Sequence, residues 1–433
     1  MEVLKEANKV ELKNRSVGEV LGLKPSSSKA DGSFELQLAI PDYQRIYCWE
    51  EINVIKLLDD ILESSGKKYH LGSIILHKSN DRYNIVDGQQ RLVTLCLFFL
   101  EMQSDINISL LDETFESKEA QEYIGYNKYL IRNYVANSSH SFDLESMLNE
   151  LQFSVLKIND GSVDLAYTFF SNQNSRGKAL TDYDLLKAHH LRYIYIPDQA
   201  KHLAERWDNL LLQPDNDNND RELDRTLGIY LFRLRKWMRK NEWSNDEKYK
   251  VKIEFQAASF IREIPPFGEQ FQFNESIQGG SHFFAYAETF VYKHKTFATT
   301  AEFRQLQVLS NETHWWYRDV IESLLFAYYL KFGTLYLSDA LVGMMRIISA
   351  HRYQYGRANL KSLLKHASES EIVLMIDRAT SPTFFLAELL GRIKMLPIPT
   401  GLKGIRSRFD QAVQVINENL PINMSSYFST ERK

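Results

Sequence analysis

Residues 83–100 read Tyr83-Asn84-Ile85-Val86, then Asp87-Gly88-Gln89-Gln90-Arg91, then Leu92-Val93-Thr94-Leu95-Cys96-Leu97-Phe98-Phe99-Leu100. The first four suit a short strand, and the last nine are apolar on nearly every face, which predicts a buried helix. The five polar or flexible residues between them fall at the strand-to-helix junction. A helix start offers free N–H groups and the positive end of the helix dipole, so a glycine and an arginine placed there suit a phosphate. Packing alone does not select such a run.

Outward from this junction, Leu71–His77 and Arg82–Val86 read as two strands joined by the turn-forming Lys78-Ser79-Asn80-Asp81. Ser33–Ile40 reads as a further strand, entering Pro41 where ladder pairing ends. Trp49–Glu63 sets Ile52, Ile55, Leu58 and Leu62 at helical spacing. From about Ile106 to Asn159 the pattern is helical and reads as an insertion, and Thr181-Asp182-Tyr183-Asp184 caps another helix that runs through Leu191. Beyond Pro197 strand signals thin out. Polar loops at Gln213–Arg221 and Glu263–His282 separate long helical patterns that include Trp315–Leu330 and Ser338–Ala350. The fold class expected is α+β: an N-terminal domain over 1–195, with a helical insertion at about 106–159, then a mostly helical domain over 196–433.

A chain of 433 residues is too long for one ordinary core, and 44% hydrophobic with 25% charged residues is the composition of a globular protein. The formal net charge of −4 gives no global attraction to nucleic acid or anionic lipid, so any DNA contact needs a local basic patch. Cys48 and Cys96 are the two cysteines, which excludes a disulfide framework and fits a reducing compartment. No apolar stretch reaches bilayer length and the first residues lack a signal-peptide layout. A cytoplasmic protein without a membrane partner is expected.

Three polar clusters carry candidate chemistry: Ile40-Pro41-Asp42-Tyr43-Gln44-Arg45-Ile46-Tyr47-Cys48-Trp49, the Asp87–Arg91 run, and Phe169-Phe170-Ser171-Asn172-Gln173-Asn174-Ser175-Arg176-Gly177. Each has a plain reading as well: a loop whose aromatics cap a core, an Asp87 N-cap with a surface-paired Arg91, and an ordinary turn ending in glycine. Together they are harder to dismiss, because each sets an arginine beside hydrogen-bonding residues at an element boundary.

In these segments the chain resembles the N-terminal domain of GmrSD-type restriction proteins, a relative of the ParB/sulfiredoxin-like fold. The matching pieces are Ile40–Arg45 with Tyr47 and Trp49, Leu57–Ile61, Tyr69–Leu76, Val86–Leu92, and Asn174–Gly177 with Leu180, Asp184, Leu185 and Lys187. They span roughly residues 10–195, and their order and spacing are far more specific than a lone glycine motif. The resemblance implies binding and hydrolysis of a nucleoside triphosphate with Mg2+, in bacterial defence against foreign DNA. On that basis Arg91 contacts phosphates, Gly88 lets backbone N–H groups approach them, and Gln89 and Gln90 donate or orient water. Asp87 caps the helix or helps hold the metal. Tyr43, Gln44 and Arg45 form a facing wall, which in relatives also senses modified DNA, and Asn174 and Arg176 close the pocket.

Many relatives also carry a C-terminal His-Me finger nuclease. No such motif follows residue 195, and His282, His294, His314, His351 and His366 stand in unrelated contexts. A separate nuclease or effector protein is therefore an expected partner, beside DNA itself, modified or not, and homo-oligomers are a further expectation. Two other readings remain: a nucleotide-responsive binding or scaffold module that turns over little, and a self-contained DNA nickase. Glu116-Ser117-Lys118 after Asp105 or Asp112 mimics a nuclease acid set, but in loop and helix rather than the hairpin that chemistry needs. Arg233, Arg235, Lys236 and Arg239, interleaved with Phe232 and Trp237, predict a basic helical stripe for DNA. The alternative for them is a solvated helix face with aromatics in the core. A second basic set runs from Arg346 to Lys365.

Overall fold

The structure is a computed structural model describing residues 10–23, 37–64, 67–111, 117–138, 142–159, 165, 166, 169, 180–212, 222–240, 251–256, 273–311 and 314–421. The chain divides into two compact units, Met1–Leu212 and Gln213–Lys433.

The first unit is built on a five-stranded sheet in the order β1-β5-β3-β4-β2. Its strands are β1 (Val10–Ser16), β2 (Leu38–Ala39), β3 (Tyr69–Ser79), β4 (Arg82–Asp87) and β5 (Leu151–Ile158). β3 and β4 form the expected antiparallel hairpin. β5 pairs parallel to β3 on one side and antiparallel to β1 on the other. The helices are α1 (Val17–Val20), α2 (Glu51–Glu63), α3 (Gln89–Met102), α4 (Lys118–Asn137), α5 (Leu144–Glu150), α6 (Asp182–Leu191) and α7 (Pro197–Leu212).

The apolar run after Arg91 does what its pattern demands. Leu92, Val93, Leu95, Cys96, Phe98 and Phe99 of α3 are buried in one cluster with Ile74, Leu76, Ile85 and Phe153 of the sheet. Burial of each large side chain there contributes about 1.5–3 kcal/mol. Thr181 caps α6 with the expected reciprocal bonds to Asp184.

Three expectations change. The stretch 106–159 is helical only in part: it ends in β5, whose Leu151, Phe153 and Val155 are buried in alternation. That short period-2 pattern lay hidden behind two helices. Asp87 is the last residue of β4 and does not cap α3; Gly88 does, at φ 96°. The compact unit also extends past 195 to include α7, which packs on α6.

The second unit is helical in its described residues. A π-helical stretch, Asp224–Leu231, runs into α8 (Phe232–Met238). There follow α9 (Val251–Gln256), α10 (Ser281–Ala298), α11 (Ala301–Leu306), α12 (Trp315–Phe332), α13 (Leu337–Gln354), α14 (Leu360–Glu369), α15 (Ile372–Arg378), α16 (Pro382–Ile393) and α17 (Ile405–Glu418). α12 is buried on nearly every side, and α13 packs along it. No helix among the described residues is long and apolar enough to cross a membrane.

Candidate functional site

The loop between β2 and α2 is held by side chains, not by a strand ladder. Gln44 Nε2 donates to the carbonyls of Ile85 at 2.8 Å and Val86 at 2.7 Å, which fastens the loop across the end of β4. Gln90 holds the next residues: its Nε2 donates to Ile46 O at 3.1 Å and its Oε1 accepts from Cys48 N at 2.9 Å. The Tyr47 hydroxyl meets Thr94 of α3 at 2.8 Å, and Asn127 of α4 donates to Tyr47 and to Trp49 O. Tyr43 is buried, and burial pushes its phenol well above the ordinary range.

Arg91 has a structural partner set. β3 bulges against β5 between His70 and Ser73, with Gly72 at φ 105°. Arg91 Nη1 donates to Leu71 O at 2.8 Å and Nη2 to Ser73 O at 2.6 Å, so the guanidinium fills the gap in the ladder. Asp87 lies 3.5 Å from Nη2. Burial raises the Asp87 carboxyl, against the opposing pull of Arg91 and Arg45.

In front of these pins is a cavity of about 470 Å3, inside the roughly 300–1,000 Å3 range of small-molecule sites. One wall is the loop, from Ile40 to Asp42 and from Gln44 to Ile46, with Gln89 beside it. Ser117 and Ala120 bring the start of α4, and Lys187 of α6 and Lys201, Ala204, Glu205, Asp208 and Asn209 of α7 bring the other wall. Lys187 is buried, and its Nζ donates to Gln44 O at 3.0 Å and to Asp208 Oδ2 at 2.8 Å. Burial raises the Asp208 carboxyl, and the Lys187 ammonium opposes the shift. Lys201 stands 3.8 Å from Glu205. Gln89 is 4% exposed, and its Oε1 has no hydrogen-bond partner. A buried acceptor left unpaired costs about 1–3 kcal/mol, and an arriving donor recovers that cost.

The cavity therefore gathers Gln44, Arg45 and Gln89 of the residues expected from the sequence. Tyr43, Asp87, Gly88, Gln90 and Arg91 are not among its lining residues; they stand behind it and shape it. Asn174 and Arg176 lie outside the described residues. Lys187, Lys201 and Asp208 complete the site without having been singled out as site residues. The signal for Lys187 was a lysine set within Leu185-Leu186-Lys187-Ala188, where every neighbour is buried.

The basic stripe of α8 is corrected. Arg233, Arg235 and Lys236 are buried. Arg235 bonds Glu254 and the carbonyls of Phe273 and Glu275, and the exposed Arg239 pairs with Glu254. Arg235 and Arg239 thus answer acids and carbonyls within the unit, and with Arg233 and Lys236 buried the four present no stripe to DNA. Among the described residues no group of three His, Cys, Asp or Glu side chains is placed to hold a metal ion.

The first unit is an α+β domain in which the 40–46 loop, Gln89 and the faces of α6 and α7 meet at one cavity, with a buried unpaired acceptor and a buried ammonium in its walls. Residues 27–191 match the family model of the GmrSD restriction endonuclease N-terminal domain, and this part of the chain belongs to that family. Residues 199–398 match a family of unknown function, DUF7834. No curated protein matches the chain.

Proposed function

We propose that the N-terminal unit binds a nucleoside triphosphate in the cavity beside Gln89 and hydrolyses it, within a restriction-type defence system that acts on DNA through a separate effector. The observation that carries this reading is the meeting of the 40–46 loop and Gln89 of the 87–91 run at one cavity, in a domain of a restriction-endonuclease family. The apolar side chains of Ile40, Pro41, Ile46, Ala120 and Ala204 suit a flat base. Arg45, Lys187 and Lys201 are the cations in its walls and suit phosphate oxygens. Mg2+ binds through phosphate oxygens, water and one or two carboxylates, and Asp42 is the acid that this loop contributes to the cavity wall.

Phosphate release is expected with at least one of ATP, GTP, CTP and UTP, and at least tenfold less in Arg45→Ala. Neither release nor binding by equilibrium dialysis, with duplex DNA present or absent, overturns the proposal. A second reading, binding without turnover, is favoured by the commitment of Asp87 and Arg91 to each other and to the main chain. Saturable binding without release selects it.

Gln89→Leu separates a ligand contact from a packing contact. Leucine removes the buried unpaired oxygen, so stability holds or rises by about 1 kcal/mol, while nucleotide affinity falls about tenfold or more. A variant that melts earlier, or that binds as tightly as the parent, refutes a ligand role for this side chain.

A further inference from the structure

Acidic residues number 56 over the 433 positions, yet two segments of the second unit have none. Between Asp339 and Glu369 the chain carries Arg346, Arg352, Arg357, Lys361 and Lys365 and no acid. Between Glu388 and Asp410 it carries Arg392, Lys394, Lys403, Arg406 and Arg408 and again no acid. The fold joins them. α13 packs on both α16 and α17, and Arg406 at the start of α17 donates to Tyr353 O, in the last turn of α13, at 3.4 Å. The Tyr353 hydroxyl donates to Asp410 at 2.7 Å, so the acid that borders this region is already engaged, as it is by Gln414.

Several of the ten basic side chains are tied within the unit: Arg352 is buried over the Tyr317 ring, Arg392 bonds Glu371 and Ser370 O, and Lys365 stands 3.7 Å from Glu369. Arg357, Lys361, Lys403 and Arg408 are exposed, and Arg346 and Arg406 are half-buried. Arg346 lies two turns before Tyr353 on the same helical face. Tyr355, in the turn that leads to α14, is 47% exposed and adds an aromatic ring among the cations.

We propose that this corner of the second unit, the C-terminal end of α13 with the starts of α14 and α17, is a binding surface for the phosphate backbone of duplex DNA. Cations clustered on one face of a chain that is acidic overall are the electrostatic footprint of a polyanion site. The surface differs from the α8 stripe in exposure: Arg233, Arg235 and Lys236 are buried there, whereas Arg357, Lys361 and Lys403 are exposed here. The proposal does not depend on the nucleotide reading of the first unit.

The test titrates the full chain into a fluorescent duplex of about 25 base pairs at several salt concentrations. Arg357→Glu with Lys361→Glu is expected to weaken binding at least tenfold and to reduce the salt slope by about one per lost phosphate contact. Lys361 sits in the first turn of α14, where a glutamate favours the helix, so unfolding does not account for the loss. Arg357→Gln with Lys361→Gln gives a smaller loss in the same direction, and Lys78→Glu, on the exposed hairpin of the first unit, leaves binding unchanged. Unchanged affinity and slope in the double charge reversal overturn the proposal, as does absence of duplex binding by the parent chain. Preferential displacement by single-stranded RNA at equal concentration overturns duplex DNA as the partner.

Discussion

Replacing Arg91 with alanine lowers the melting temperature of the first unit and abolishes ligand binding together. The side chain closes the β3 bulge through Leu71 O and Ser73 O and faces the Asp87 carboxylate. Its removal strands two carbonyls and a partly buried acid, a loss of about 3 kcal/mol. For a unit of this size that is a fall on the order of 10 °C. Binding goes with it because Asp87 leads directly into Gly88 and Gln89, and a displaced acid moves the cavity wall. Arg91→Lys retains the charge but cannot span both carbonyls, so it falls between parent and alanine. Thermal melts and equilibrium dialysis on the same preparations check both effects. Lost binding or turnover with an unchanged melt makes Arg91 a direct phosphate ligand instead of a strut.

Gly88→Ala is nearly as damaging for a different reason. Gly88 starts α3 at φ 96°, where a side chain strains the backbone, and an added Cβ falls 2.5 Å from Ile74 Cγ2. Ile74 is fully buried in the core and has nowhere to retreat. Backbone strain and overpacking together cost about 3 kcal/mol, read as an earlier urea midpoint with unchanged m-value. Ile74→Val in the same chain relieves part of the contact, so the double variant is more stable than additivity of the two single changes predicts. Strict additivity removes the Ile74 contact from the explanation.

The strand, the glycine and the buried helix around residue 88 were legible because local pattern and tertiary role agree there. The hairpin of β3 and β4 was legible for the same reason, with a turn of only a few residues to close. β5 was not, since its parallel partner β3 is far away in sequence and its alternation is brief. The roles within 87–91 were legible as a set but not individually. That Gln89 lines the cavity while Gln90 holds the loop depends on which way each side chain leaves the first turn of α3. α7 went unnoticed as a wall because Lys201, Glu205 and Asp208 carry no motif, and charges at helical spacing look the same on a cavity wall as on a solvated face. The α8 stripe misled because its partner Glu254 comes from another helix, and charge spacing does not reveal burial.

The loop from Pro41 to Trp49 has one more consequence, which concerns time rather than position. Its main-chain attachments are carboxamide and ammonium groups, from Gln44, Gln90, Asn127 and Lys187. Rotation of a few side chains releases it without breaking a strand ladder. Its opening is thus a local event, decoupled from unfolding of the sheet. Amide hydrogens such as that of Cys48, which is held by Gln90, should exchange far faster than those of β3 and β5. A ligand seated against Gln89 slows that exchange and leaves the strands unaffected, so occupancy of the cavity has a clock of its own in deuterium uptake.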